Sequence, residues 1–233
     1  MRTRWRTFLS IPASVGLSSW SAERPADLGG LLRQLGKSIG VGAVGSELYD
    51  VFAALLAKSQ IPLTSVTFRN VGSSADSFKA VLAKQIDCGY GQVGNQATAA
   101  KHGVRMIATV NQALPLWINQ GAVASASAIS GKRAALVKVL AAYASLFKYL
   151  ATADSKADYV KAYTAAGGTA GEAALEWQFL NSNQAYSPTL TLPEDKMNFI
   201  QQQNVDNGTQ SKVLPFSSYT DFSLRSDALA SLQ

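Results

Sequence analysis

Gly40-Val41-Gly42-Ala43-Val44-Gly45-Ser46 is the stretch whose reading decides the fold. It matches G-x-G-x-x-G and runs into Leu48, Val51, Phe52, Leu55 and Leu56, spaced as the core-facing stripe of a helix. On one reading the glycines are a dinucleotide fingerprint, with a pyrophosphate on the helix N-terminus. On the other, a glycine-rich strand ends in a turn at Gly45-Ser46. Ser46 then caps a helix whose first N–H groups have no internal partner and receive a small solute. The flanks disfavour the nucleotide. Only Ser38 and Ile39 separate Lys37 from Gly40, which leaves the strand almost no length. A ribose-binding acid belongs about 20 residues further on. Asn70, Val71 and Gly72 stand at the end of the second strand, and the nearest acid is Asp76. No Gly-Lys-Ser/Thr follows, so a P-loop is absent as well.

Working outward, Ser65–Val71 reads as a strand, with a helix capped at Ser74 or a neighbour and carrying Phe78, Val81 and Leu82 inward. Ile86–Tyr90 is a third strand, 93–102 a helix and Val104–Val110 a fourth strand. This alternation predicts a mainly parallel sheet covered by helices, a three-layer α/β lobe over residues 37–124. Leu116–Ala124 reads as one more strand. Residues 125–233 are mostly helical: Lys132–Leu150, Ser155–Ala165 and Glu172–Leu180 carry helical periodicity, and Pro193 suits a first helical position. Residues 1–36 form a basic N-terminal segment. Arg2, Arg4 and Arg6, the apolar run Phe8–Leu17 and Ser19-Trp20-Ser21-Ala22 read as an export signal, the plainer alternative being an unstructured basic tail.

The net charge of +6 is unevenly spread: residues 1–37 hold +4, which leaves +2 for the rest. No basic stripe with interleaved aromatics appears in the body, so nucleic acid is not an expected partner. A single cysteine, Cys88, excludes a disulfide within the chain, and Cys88 with the single histidine, His102, is too few for a Cys/His zinc site. The longest uncharged run, Met106–Gly131, contains Asn111, Gln112, Asn119 and Gln120 and makes a poor membrane span. His102 precedes Gly103 and reads as a helix C-terminal cap, while Cys88 reads as a buried small hydrophobe. Asp50 and Asp87 are isolated, and no G-x-S-x-G, H-E-x-x-H or paired metal carboxylates occur, so no catalytic residue, cofactor or metal is expected.

Two further helix starts resemble the one at Ser46: Ser73-Ser74 after the second strand and Gln92–Asn95 after the third. In a parallel sheet all three lie at the carboxyl ends of strands, where ligands bind. Each is also explained by ordinary capping, and their convergence is what points to a solute. Trp117, Asn119 and Gln120 add a polar-aromatic group, Trp117 alternatively being a core aromatic.

Together these features resemble the type II periplasmic solute-binding proteins of ABC importers, nearest to the group for aliphatic sulfonates, taurine, nitrate and thiamine pyrimidine precursors. The resemblance is carried by Ala26-Asp27-Leu28-Gly29, by Ile39-Gly40-Val41-Gly42 to Gly45-Ser46, by Ser73-Ser74-Ala75-Asp76 and by Ile86-Asp87-Cys88-Gly89-Tyr90-Gly91. It implies an extracytoplasmic, monomeric, non-catalytic protein that hands a small anionic or polar solute to a membrane permease. It also implies solute contacts at Gly45, Ser46, Ser73, Ser74, Gln92, Asn95 and Trp117. The family begins with a half-lobe forming the opposite cleft wall, whereas 36 residues without that pattern precede Lys37 here. An incomplete second lobe with exposed apolar surface on its helices is therefore expected. The alternatives are a small-molecule enzyme on the same fold, such as a lyase or a pyrimidine-synthesis protein, a metabolite sensor, or a shortened relative that binds nothing.

Overall fold

Alternation along the glycine stretch divides its residues between two faces. In strand β3 (Ser38–Val41), Ile39 and Val41 enter a core with Val51, Phe52, Leu55 and Leu56 of helix α1 (Glu47–Lys58). Gly40 faces the other way, towards helix α2 (Ser74–Leu82). Strand β5 (Cys88–Gln92) repeats the pattern: Cys88 and Tyr90 join the α1 core and Gly89 faces α2. A Cβ on Gly40 would strike Ile86, and one on Gly89 would stand 2.6 Å from Ser77 Oγ. The space is filled by Ser77, which is fully buried. Its hydroxyl donates to the Gly40 carbonyl (3.0 Å) and accepts from the Tyr90 N–H (2.9 Å). The glycines of the motif therefore let a helix lie close against the sheet.

The computed structural model describes residues 5–11, 17–21, 37–118 and 120–233. The Ala26-Asp27-Leu28-Gly29 motif, Ala22 and Asn119 lie outside them. Five strands run in the order β4 (Thr67–Asn70), β3, β5, β2 (Leu17–Ser21) and β6 (Arg105–Thr109). Strand β3 is parallel to β4 and β5. Strand β2 is antiparallel to both β5 and β6. The expected parallel run is thus interrupted by a strand from the N-terminal segment, which was expected to lie outside the lobe. Its Leu-Ser-Ser-Trp-Ser pattern sits in a serine-rich, basic stretch, and its partners are remote in sequence, so local pattern does not disclose it.

The helix following β5 opens as a 3-10 turn, Val93–Asn95, before α3 (Gln96–Lys101). A short helix α4 (Val110–Ala113) and a turn closed by the Trp117 N–H on the Leu114 carbonyl delay the last strand, β7, to Gln120–Ser125. Strand β7 pairs antiparallel with β1 (Trp5–Ile11). Helices α5 (Ala126–Gly131), α6 (Arg133–Leu150), α7 (Ser155–Ala165), α8 (Ala170–Ser182), α9 (Glu194–Asp206) and α10 (Ser223–Ala230) complete the chain. Pro193 stands just outside α9 as its N-cap, not as its first residue, because its ψ of 130° is extended. Leu140, Ala144, Phe147, Leu190, Leu224 and Ala228 form a second core. Helix α6 leaves Val139, Tyr143, Leu146 and Tyr149 exposed.

Two polar contacts tie the parts together. Glu176 of α8 is buried and accepts the Gly94 N–H at 3.0 Å, docking the helical region on the turn after β5. Asp87 accepts the Ser38 N–H and Oγ–H, both at 2.7 Å, with Lys37 Nζ at 3.7 Å. Burial alone would raise the Asp87 carboxyl, but the Ser38 hydrogen bonds and the Lys37 charge outweigh it and hold it below the usual carboxylate range.

Removing the Ser77 hydroxyl strands a buried N–H, so Ser77→Ala is expected to cost about 1–3 kcal/mol in urea unfolding. Gly89→Ala adds a Cβ against Ser77 and Val81 and is expected to cost about as much. Because the folded Asp87 carboxyl is depressed, its contribution is present at neutral pH and lost as pH falls through the lowered value. Asp87→Asn is therefore expected to be less stable than the wild type near neutral pH and to converge with it in acid.

Candidate functional site

Helix α1 starts where Gly45, at φ 81°, turns the chain out of β3. Gly42 must lack a side chain, since a Cβ there would lie 2.8 Å from Ser46 Oγ. Ser46 caps the helix by accepting the Tyr49 N–H (3.4 Å), and its carbonyl accepts the Asp50 N–H. Helix α2 starts with a reciprocal cap: Ser73 Oγ accepts the Asp76 N–H (3.2 Å), and Asp76 Oδ2 accepts from the Ser73 N–H (3.1 Å) and hydroxyl (2.6 Å). These bonds to Ser73, the hydroxyl foremost, hold the Asp76 carboxyl low. The hydroxyls of Ser46 and Ser73 are thus used in capping. The N–H groups of Glu47, Leu48, Ser74 and Ala75 precede the first helical carbonyl in reach and have no intrahelical acceptor.

Both helix starts border one polar cavity of about 360 Å³. Gly42, Ser46, Glu47 and Leu48 line it from α1, Gly72, Ser73 and Ser74 from α2, and Gln92 and Gln120 from the strand ends. The volume sits at the small end of ligand pockets. A second hollow, of about 290 Å³, lies between Ala54, Leu114, Leu116 and Phe199, and its lining is mainly apolar. Lys58, Gln203 and Asp206 also border it, from the C-terminal turns of α1 and α9 rather than from helix N-termini.

Of the residues expected at a site, the structure brings Ser46, Ser73, Ser74 and Gln92 to the cavity. Gly45 shapes the turn behind it. Asn95 does not line it, because its Oδ1 accepts the Gln92 N–H at 3.0 Å. The third helix start is likewise engaged, its Gly94 N–H being held by Glu176. Trp117 packs against the α1 core, its indole beside the Glu47 carboxyl rather than in the lining.

Glu47 was not singled out from sequence, although an acid directly after the cap at an anion-attracting helix end was the available signal. It is exposed to the cavity, yet the surrounding protein desolvates its carboxyl and raises it, with the Trp117 indole opposing and Asp50 reinforcing the shift. Burial also raises Asp50, and Asn207 offsets part of that. The Tyr90 hydroxyl is pushed well up by burial and by the Glu47 charge. Among the described residues, the lining includes no lysine, arginine or histidine.

His102 ends α3 as its C-cap and is exposed, and Gly103 follows at φ 68°. Cys88 is fully buried, and desolvation pushes its thiol up to about 12. Neither lines the cavity, and a thiol so placed carries no thiolate at neutral pH. Among the described residues no group of three or more His, Cys, Asp or Glu is arranged to hold a metal ion, and no single helix is long and apolar enough to cross a membrane.

No protein-family model and no curated protein matches the sequence. Solved structures do match its fold. The putative periplasmic sulfonate-binding protein of a sulfonate ABC transporter from Methylobacillus flagellatus KT aligns at a TM-score of 0.74 and 14% identity, over 98% of this chain and 70% of that one. The chain has the fold of the periplasmic binding proteins. The alkanesulfonate-binding protein of Xanthomonas axonopodis pv. citri, bound to MOPS, aligns at 0.71 and 14% identity over 93% of this chain and 73% of that one. The desulfurization enzyme DSZB shares the fold at 0.66 and 10% identity, over 99% and 80%.

The folded Asp50 carboxyl is raised, so protonation favours the native state. The wild type is expected to gain stability relative to Asp50→Asn as pH falls from neutral through the carboxylate range, the reverse of the Asp87 pair. Urea unfolding of both pairs across that range checks the opposite slopes.

Proposed function

We propose that this protein is the solute-binding component of an ABC importer, working outside the cytoplasm without catalysing a reaction and delivering its solute to a membrane permease. The solute class is a small anionic or polar organic molecule of the sulfonate, taurine, nitrate or pyrimidine kind. The observation that carries the reading is the meeting of two helix N-termini, at Ser46 and Ser73-Ser74, on one small polar cavity. Their unpaired N–H groups and aligned dipoles favour a negative group there, by about 0.3–1 kcal/mol per helix end and more where water is excluded. Gln92 and Gln120 supply further hydrogen bonds from the strand ends. The fold shared with sulfonate-binding proteins supports the same reading.

An enzyme on this fold is the second reading, favoured by the likeness to DSZB. The inaccessible Cys88 and the position of His102 count against thiol or imidazole chemistry in the cavity.

A thermal-shift screen with alkanesulfonates, taurine, nitrate, carboxylates and pyrimidines tests the proposal. A true solute at a hundredfold excess over its Kd adds about 2.7 kcal/mol to the native state and raises Tm. Ser74→Trp, which fills the cavity from the start of α2, is expected to weaken that solute about tenfold or more while leaving the ligand-free Tm nearly unchanged. A screen in which nothing raises Tm, or a Ser74→Trp variant that binds as well as wild type, overturns the reading.

A further inference from the structure

We infer that the outward face of α6 is a self-association surface, on which a second copy of this chain lies antiparallel about a two-fold axis at Ala142. The inference goes beyond the solute-binding reading and does not rest on it. Three observations carry it.

First, the face is an apolar seam left in solvent. Helix α6 buries Leu140, Ala144 and Phe147 in the second core, while Val139, Tyr143, Leu146 and Tyr149 stay 39% to 50% exposed. Ala135 and Ala142 are exposed as well. Ala135, Val139, Ala142, Leu146 and Tyr149 follow one another at intervals of four, three, four and three residues. That is the spacing of a coiled-coil seam. At about 100° per residue it runs along the side of α6 opposite the buried one. Single apolar residues on a surface are ordinary, and a continuous row of them marks an interaction site.

Second, the seam fits itself. An antiparallel two-fold at Ala142 sets Ala135 against Tyr149 of the second copy and Val139 against its Leu146. Ala142 meets its own counterpart, which lets the helices approach closely at the axis. Small side chains thus stand against large ones, and the same patch serves both copies, as a closed two-fold interface requires. A parallel pair would instead crowd Tyr149 against Tyr149 at one end and leave a gap between alanines at the other.

Third, the flanks of the seam are complementary. Helix α6 carries Arg133, Lys138 and Lys148 and no acid. Arg133 is engaged by Asp227, and Lys148 points about 140° away from the middle of the seam. Lys138 borders the seam. The facing acid comes from α7, where Asp158 accepts the Tyr149 hydroxyl at 2.6 Å. The two-fold brings the Tyr149–Asp158 pair of each copy beside Lys138 of the other. The surface on that side is also hollow: Ala134, Val137, Lys138, Ala141 and Leu232 line a mainly apolar depression of about 650 Å³, open to the end of the second copy's α6. An anionic membrane is the other natural home for an apolar row beside lysines. The acids Asp154 and Asp158 at one end of the row, and the alternation of alanine with larger side chains, favour a second copy.

Sedimentation equilibrium of the full chain tests the inference. Wild type is expected to dimerise with a Kd on the order of 10 µM. Val139→Lys and Leu146→Glu change exposed positions, and thermal unfolding checks that both variants fold. Each alone is expected to weaken dimerisation tenfold or more, because it buries a charge without a partner. Mixed in equal amounts they are expected to dimerise again, since the two-fold sets position 139 of one copy against position 146 of the other. Ala142→Cys is expected to form a disulfide between copies on oxidation and Ala135→Cys is not, the native Cys88 being fully buried. Wild type that stays monomeric at about 100 µM overturns the inference, and so does a monomer that instead binds vesicles of anionic lipid. A dimer that persists in both folded variants places the interface elsewhere and overturns it too. A mixture that fails to dimerise, or equal cross-linking through positions 135 and 142, overturns the antiparallel arrangement. Each of these outcomes leaves the solute-binding reading to its own screen.

Discussion

A single serine hydroxyl holds the sheet and its covering helix in register. Ser77 bonds the Gly40 carbonyl of β3 and the Tyr90 N–H of β5, and it reaches both because Gly40 and Gly89 present no side chain to α2. The depth at which α2 lies on the sheet sets the place of its N-terminus. The start of α1 is set in turn by Gly42 and Gly45. The two helix starts meet at one cavity because both are referred to the same pair of strands.

Capping and binding use different atoms at those starts. The side chains of Ser46 and Ser73 stabilise the helices from within, and the first backbone N–H groups remain to face the cavity. The site therefore depends on backbone geometry more than on reactive side chains. This suits a fold whose solved examples include sulfonate-binding proteins and a desulfurization enzyme. Glu47 is the exception, a charged side chain at a helix end that otherwise attracts the opposite kind of group.

Much of the framework was legible because it is written in local patterns. The i, i+3, i+4 stripe after Ser46 and the His102-Gly103 ending depend on residues a few positions apart and stand where expected, and the cap expected at Ser74 or a neighbour falls on Ser73. Tertiary pairing was not legible. Nothing near Glu176 announces that it will be buried against the Gly94 N–H, which removes the third helix start from the cavity. Asn95 reads as a solute contact until its side chain is seen closing the turn on Gln92. Ser77 looks like one more small residue in a helix, and its importance emerges only when two glycines from separate strands arrive beneath it. Trp117 combined an apolar body with an indole N–H, and its neighbour proved to be Glu47 rather than the cavity.

Strand β2 carries a consequence for how the chain is made. Residues 17–21 leave the ribosome long before β5 and β6, yet their place is between those two strands. Such pairing closes a long loop and belongs to the slow, non-local part of folding. Until it forms, β5 and β6 present open edges, the kind of surface that recruits other chains. The same residues fall within the stretch that reads as an export address. Cleavage beyond residue 21 would remove the strand that joins the two parts of the sheet, so processing and sheet closure would draw on the same piece of polypeptide.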